Sequence, residues 1–336
     1  MSDSIKTALV GFGKAGEFLH APFIYTNTDF DLSVILERTP KHAATAYPTA
    51  GIVRSYEEIL SDPSIELIVL ATPNQLHASM AEQAIISGKH VVVDKPFTVY
   101  VADAKRLQAL SLQTGKHIFV YQNRRWDGDF LTVQQLLKEG VLGEIISIES
   151  RFDRYRPKPR TTYWKESAEL GNGLWYDLGP HLMDQAFYLL GQPTDYTFEI
   201  KTQRARAVGI DYFDVELCYE KMTCRIHAGM MEEKPTPRWI IKGTKGTYIK
   251  YGVDPQESKL NAGELPRGAY WGMEDLNRFG KIEFVDGQTT VYQTLPGDYR
   301  KFYQGVYETL RNHKSPLISL TDAVELVGWL ERLALE

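Results

Sequence analysis

Thr7-Ala8-Leu9-Val10-Gly11-Phe12-Gly13-Lys14-Ala15-Gly16 runs from a short apolar strand directly into a glycine-spaced turn, and a helical pattern follows. Gly-x-Gly-x-x-Gly between a strand and a helix is the fingerprint of a dinucleotide-binding βαβ unit. Gly11 permits the tight turn, Gly13 lets backbone approach a pyrophosphate, and Gly16 lets helix and strand pack closely. The backbone at Phe12, Lys14 and Ala15 completes the cradle, and the helix start favours the phosphate charge. The bland alternative, an ordinary glycine-rich turn, is disfavoured by the strand–turn–helix context.

Outward from this turn, strand and helix signals alternate. Leu32–Leu36, Leu67–Ala71, Val91–Val93 and the run from His117 to Tyr121 are short and apolar throughout. Such runs suit strands buried on both faces of a parallel sheet. A helix between Leu76 and Ser87 ends at Gly88, a natural position for a left-handed cap. Residues 1–122 therefore read as an α/β Rossmann domain with a doubly wound sheet.

The period then changes. After a helix over Phe130–Glu139, Phe213, Val215, Leu217 and Tyr219 alternate with polar residues, as do Met222, Cys224, Ile226 and Ala228. Period-two alternation means antiparallel strands with one face buried. A turn at Glu220-Lys221 sets Leu217 opposite Cys224 and Phe213 opposite Ala228. Cys218 then lies on the other face from Cys224, and no disulfide is expected. Residues 145–154 and 281–292 add strands. Pro180–Leu190 reads as a helix with proline in its first turn, and Tyr299–Arg311 and Leu320–Leu335 as closing helices. Tyr251 to Gly280 reads as one long loop. Residues 123–336 are thus expected to form an α+β domain with an open, mainly antiparallel sheet.

The composition fits two cores. The chain has 336 residues, 43% of them apolar and 24% charged, with 38 Lys plus Arg against 43 Asp plus Glu. A net charge of −5 argues against a general nucleic-acid or anionic-membrane binder, which needs a basic face. No basic n-region precedes an apolar stretch, so no signal peptide is expected, and no run is long enough for a transmembrane helix. Two cysteines in this length suggest a reducing compartment, the cytoplasm.

Candidate ligand contacts lie at strand ends. Glu37 closes the second strand 21 residues past Gly16, where an acid accepts hydrogen bonds from a ribose 2′-OH and repels a 2′-phosphate. That favours NAD. Arg38 beside it can stack on adenine or pair with a 2′-phosphate, which keeps NADP open. A solvated Glu-Arg pair is the plain alternative. Thr72-Pro73-Asn74 follows another strand and can reach the cofactor, with His77 as either a contact or a helix-terminus histidine. Lys95, in Asp94-Lys95-Pro96, points from a strand end towards the cofactor crevice. Asp177 and His181 are four apart and share a helix face if the helix starts before Pro180. A carboxylate there would orient the imidazole. No ligand set with metal spacing accompanies His181 and Asp184, so no metal is expected.

Taken together and in order, the Gly-x-Gly-x-x-Gly turn, Thr72-Pro73-Asn74, Asp94-Lys95-Pro96 and Asp177…His181 resemble the Gfo/Idh/MocA oxidoreductase family. The resemblance covers nearly the whole chain. Asp94 stands where the family usually has Glu. Asn123-Arg-Arg-Trp-Asp-Gly-Asp-Phe130, Tyr155-Arg-Pro157, Trp175-Tyr-Asp-Leu-Gly-Pro-His181 and Tyr248-Ile-Lys-Tyr-Gly-Val-Asp254 are similar to the subgroup containing NADP-dependent scyllo-inositol dehydrogenase. NADP users there tend to carry a small polar residue where this chain has Glu37. The resemblance implies a two-domain dehydrogenase of sugars or polyols, a homodimer or homotetramer pairing through the open face of the C-terminal sheet. It maps the family's catalytic lysine onto Lys95, its aspartate onto Asp177 and its histidine onto His181.

In that scheme a secondary alcohol gives hydride to nicotinamide and a proton to a base. His181 suits the base by its ordinary pKa, with Asp177 steadying it. Lys95 would bond the reacting oxygen, or take the proton itself if burial lowered its pKa. Asn123, Tyr155 and Trp164 are candidate substrate walls, since amides bond hydroxyls and aromatic faces cover C–H surfaces. Arg124 and Arg125 would brace the domain junction. Two other readings stay open: an NAD-retaining hydrolase or lyase acting by transient oxidation, and a non-catalytic cofactor-binding regulator.

Overall fold

The computed structural model describes residues 4–39, 42–160 and 163–336. It divides the chain into two compact units. The first holds Met1–Asn123, Gln256–Ala269 and Tyr299–Gly328; the second holds Arg124–Pro255, Tyr270–Asp298 and Trp329–Glu336. The expected division falls after residue 122; by contacts, the later segments 256–269 and 299–328 group with the first unit.

In the first unit, β1 (Ile5–Val10) leads through the glycine turn into a π-helical stretch, Gly16–His20, and α1 (Ala21–Tyr25). Then come β2 (Phe30–Leu36), α2 (Ala43–Ala46), β3 (Gly51–Val53), α3 (Tyr56–Ser61) and β4 (Leu67–Leu70). α4 (His77–Ile86), β5 (His90–Asp94), α5 (Val101–Thr114) and β6 (Ile118–Tyr121) complete it. All six strands are parallel, in the order β3-β2-β1-β4-β5-β6. The order reverses between β1 and β4, and ligands bind outside the carboxyl ends at such a switch point. Gly88 caps α4 with φ +77°.

The apolar runs are buried as expected. Val91, Val93, Ile68 and Leu70 join Ala104 and Leu107 in one core cluster.

The second unit begins with α6 (Gly128–Glu139) and β7 (Ile145–Arg151). α7 (Gly173–Leu190) and the strands β8 (Asp195–Lys201), β9 (Tyr212–Cys218), β10 (Thr223–Gly229), β11 (Pro237–Gly243) and β12 (Gly246–Tyr251) follow. After α8 (Gln256–Asn261), which belongs to the first unit, come β13 (Gly280–Phe284) and β14 (Thr289–Tyr292). The eight strands run β14-β13-β12-β11-β7-β10-β9-β8, antiparallel except for β7 beside β10. The hairpin register is the expected one, with Leu217 opposite Cys224 and Phe213 opposite Ala228. Both cysteines are free thiols.

Three expectations change. α7 begins at Gly173, seven residues before Pro180, so the proline lies inside the helix. The helix start is fixed from outside: Leu174 N–H donates to Ile210 O at 2.7 Å, and Gly173 has φ +82°. A Cβ on Gly173 would meet Ile210 O at 2.8 Å. The long loop after Tyr251 holds α8 and a short 3-10 turn, Leu276–Arg278. His227, one of the polar residues alternating with Ile226 and Ala228 and so expected on the face away from the core, is buried, and its Nδ1 lies 2.7 Å from Asp153 Oδ1.

The closing helices α9 (Arg300–Asn312) and α10 (Leu320–Leu335) explain the return to the first unit. Tyr303 Oη lies 2.7 Å from His20 Nδ1, Arg311 pairs with Glu66 at 2.9 Å, and Ala323, Val324 and Val327 join the first unit's core.

Candidate functional site

Each glycine of the fingerprint has its own steric reason. Gly11 has φ +95°, and a Cβ there would sit 2.6 Å from Ala71 O. A Cβ on Gly16 would fall 1.9 Å from Gly11 O. Gly13 differs: a Cβ there meets no described atom within 4 Å, so the turn faces open space. Helical bonding starts at this point, with Glu17 N–H donating to Gly13 O at 2.8 Å. Phe12 is buried edge-on to His42 and Tyr47, while Lys14 is exposed. The turn is thus anchored below by Phe12, and closed to side chains at Gly11 and Gly16 but not at Gly13. A pyrophosphate fits that cradle.

The carboxyl ends of the strands carry the remaining candidates. Glu37 is only 6% exposed. Arg54 Nη1 donates to its carbonyl and lies 3.7 Å from its Oε2. Arg38 is exposed beside it. Along this edge, Glu37 Oε1, Thr72 Oγ1 and Gln122 Oε1, among other atoms of the described residues, are buried without a hydrogen-bond partner, at the ends of β2, β4 and β6. Native chains rarely leave such atoms unbonded, and a polar ligand is one way to satisfy them. A dinucleotide along this edge supplies ribose hydroxyl and amide donors, so the residues present fit the group.

His77 is fully buried, Nδ1 2.8 Å from Pro96 O and Nε2 3.0 Å from Thr72 O. It ties the Thr72-Pro73-Asn74 turn to the Asp94-Lys95-Pro96 segment, which favours a bracing role over a ligand contact. Asp94 Oδ1 accepts Lys95 N–H at 2.8 Å, and Lys95 is half-buried. Asn123, placed by expectation in the second domain, is buried and belongs to the first unit.

In the second unit the early start of α7 puts Asp177 and His181 one turn apart on a continuous helix. His181 is buried. Asp177 lies 3.4 Å from Lys165 Nζ and 3.8 Å from Arg154 Nη1. These two cations were not singled out by sequence reasoning, because they are 12 and 23 residues from Asp177 with no periodic link. Trp164 and Tyr155 are exposed, and Lys165 lies over the Trp164 ring at 5.5 Å.

The segment is held by buried Arg204, which bonds Asp211 Oδ2 at 2.8 Å, Glu166 Oε2 at 2.9 Å and Arg156 O at 3.0 Å. Arg124 pairs with Asp127 at 3.2 Å, and Arg125 closes a two-pronged bond on Asp184 at 2.7 and 2.8 Å. Both brace the second unit internally. Among the described residues no cluster of His, Cys, Asp and Glu could hold a metal ion, and no helix is long and apolar enough to cross a membrane.

Comparison with known proteins agrees with this layout. Residues 5–122 match the family model for the NAD-binding Rossmann fold of an oxidoreductase family, and residues 134–335 match the C-terminal alpha/beta domain of the same family. The chain is 39% identical to the uncharacterized oxidoreductase YdgJ of Escherichia coli, covering 98% of this chain and 96% of that one. It is 32% identical to the scyllo-inositol 2-dehydrogenase (NADP(+)) of Bacillus subtilis, covering 98% and 92%. The solved structure of yvaA from Bacillus subtilis superposes with a TM-score of 0.94 at 31% identity, covering 100% and 96%.

Proposed function

The chain belongs to the Gfo/Idh/MocA oxidoreductase family, and from that premise we propose that it is an NAD(P)-dependent dehydrogenase of a sugar or polyol secondary alcohol. The observation that carries this reading is the open cradle at Gly13, with unbonded buried oxygens along the same sheet edge and Lys95 at the end of β5. The scyllo-inositol dehydrogenase relative supports a polyol; its name specifies NADP. Glu37 supports NAD here. Its unbonded Oε1 suits a ribose 2′-OH donor, and its charge opposes a 2′-phosphate.

A bound nicotinamide supplies the hydride acceptor. The phosphates would rest on backbone N–H groups of the turn between Phe12 and Ala15, while Gly11, whose own N–H donates to Leu36 O, and Gly16 give the turn its shape. Lys95 donates to the reacting oxygen and stabilises alkoxide character as the C–H bond breaks. His181 takes the hydroxyl proton on its imidazole. Asp177 favours the imidazolium that results, and Lys165 and Arg154 stand beside its carboxylate at 3.4 and 3.8 Å. Asn123, Tyr155 and Trp164 contact the sugar. The uncovered face of the eight-stranded sheet pairs two copies, which light scattering of the purified chain tests directly.

The central test is a screen of inositols, aldoses and lactones with NAD and NADP, followed by nicotinamide absorbance. Net cofactor reduction is expected, with kcat/KM higher for NAD. Lys95→Ala and His181→Ala should each lower kcat by roughly 10²–10⁴-fold, the usual range for general acid–base catalysis. Full turnover in His181→Ala alongside loss in Lys95→Ala would reassign the base to Lys95. Product formed without net cofactor change would overturn the dehydrogenase reading.

A further inference from the structure

Of the three unbonded oxygens on the first sheet's edge, two belong to stretches that the fingerprint already assigns to the cofactor. Gln122 does not. It is 2% exposed, and its Oε1 has no partner among the described residues. Its backbone is held in place, the N–H donating to Val120 O at 2.9 Å.

The strand register locates it. β5 and β6 pair Val93 with Val120 and Asp94 with Tyr121, so Gln122 stands one residue past β6, level with Lys95. Glu37 ends β2, and the sheet order places four strand steps between β2 and β6. At about 4.8 Å per step, that is about 19 Å of sheet edge. A dinucleotide extended along it with its adenosine ribose at Glu37 brings the nicotinamide end towards β5 and β6. The nicotinamide ring carries a carboxamide, whose N–H groups are the donors that a buried amide oxygen lacks.

We infer that Gln122 accepts a hydrogen bond from the cofactor's carboxamide through Oε1 and so sets the rotation of the ring beside Lys95. The inference rests on the cofactor reading above and adds a contact that none of the sequence motifs marks. A buried acceptor left unbonded without ligand costs stability, and the ligand's donor relieves that cost.

The test is binding, measured by calorimetry on the full chain. The tighter of NAD+ and NADP+ is compared with its 3-acetylpyridine analogue, which keeps the ring carbonyl and lacks the N–H donors. The wild-type chain should prefer the natural cofactor by about threefold to tenfold, the scale of one neutral hydrogen bond. Gln122→Met, close in shape and without an acceptor of that strength, should bring the ratio near one. Its ligand-free melting temperature should be close to wild type, because a buried amide oxygen without a partner has been removed; Gln122→Leu repeats the measurement if the methionine packs poorly. A wild-type ratio of one, or a preference retained in both variants, overturns the role of Gln122. Failure of the wild-type chain to bind any of these dinucleotides overturns the cofactor reading itself.

Discussion

At the carboxyl edge of the first sheet, Glu37, Thr72 and Gln122 keep buried oxygens unbonded in a row of strand ends, whereas in the second unit several buried charges close on one another, although Asp129 Oδ1, Tyr248 Oη and Thr294 Oγ1 there are also buried without a hydrogen-bond partner. Arg125 meets Asp184 at 2.7 Å, Arg204 meets Asp211 at 2.8 Å, and Arg238 meets Asp129 at 3.2 Å. Where these groups stand in the fold explains this. A parallel sheet covered on both faces leaves only its edge for polar groups, and an edge is where a ligand can reach. Two of the second unit's pairs lie off its sheet, Asp184 on α7 and Arg204 with Asp211 in the segment between β8 and β9, where helix and loop side chains reach one another within the chain. The edge of the first sheet therefore offers a row of acceptors to a ligand, while Arg125–Asp184 and Arg204–Asp211 close parts of the second unit from within.

The largest effect that would break or sharpen this contrast lies in the second unit. Removing one partner of a buried pair strands a charge, at about 3–5 kcal/mol, while replacing both with apolar residues is often neutral. Arg125→Met should lower stability by that amount in urea denaturation, and Arg125→Met with Asp184→Leu should recover most of it. A single variant losing under about 1 kcal/mol would mean that the pair is not a structural closure.

The next test separates fold from ligand within the first unit. Gly16→Ala forces a Cβ to within 1.9 Å of Gly11 O, an overpacking that should cost on the order of 3 kcal/mol. Gly13→Ala meets only open space, so its melting curve should match wild type. Its dinucleotide affinity should nonetheless fall at least about tenfold, because the methyl occupies the path of the pyrophosphate. Gly13→Ala binding as well as wild type would show that the cradle is not where the guest lies.

Much of this contrast was legible in the sequence, and its limits have physical causes. Gly11, Gly13 and Gly16 are local, and so is the Phe213–Ala228 alternation, which fixes register because a one-residue slip would turn every apolar side chain outward. The start of α7 was misread because Pro180 has the character of a first-turn residue. What moves the start to Gly173 is a hydrogen bond from Leu174 to Ile210, a residue 36 positions away. Arg154 and Lys165 reach Asp177 by the same kind of distant contact. Gln122 carried no pattern, since one amide after a strand reads like any loop residue. The returning segments 256–269 and 299–328 declare their unit only through partners such as His20 and Glu66.

Acid should divide the two units, by the smallest of these effects. Burial, the main cause, holds His20 down to about 4; Asp94 pulls it up and His77 pushes it further down. Burial also lowers His90 to about 4, with help from Lys116 and from His117, which stacks on it at 5.5 Å. Both folded values lie below the 6.5 of a free imidazole, so the unfolded chain binds more protons as pH falls below 6.5. Stability contributed by these rings is complete above 6.5 and is lost between there and about 4. For His20 the loss at pH 5 is about 2 kcal/mol. Asp153 behaves oppositely. Burial raises it, but His227, Thr236 and Arg151 overcome that and bring it to about 2. Its contribution is complete above the ordinary 3.8 and fades only as pH drops towards 2. Hydrogen exchange at pH 7 and pH 5, corrected for intrinsic rates, should therefore show protection falling in β1 and β4 and holding in β9 and β10. His20→Gln should flatten the first unit's response. Equal loss in both sheets would mean that the chain opens as one cooperative body, and that the contrast between them is chemical but not energetic.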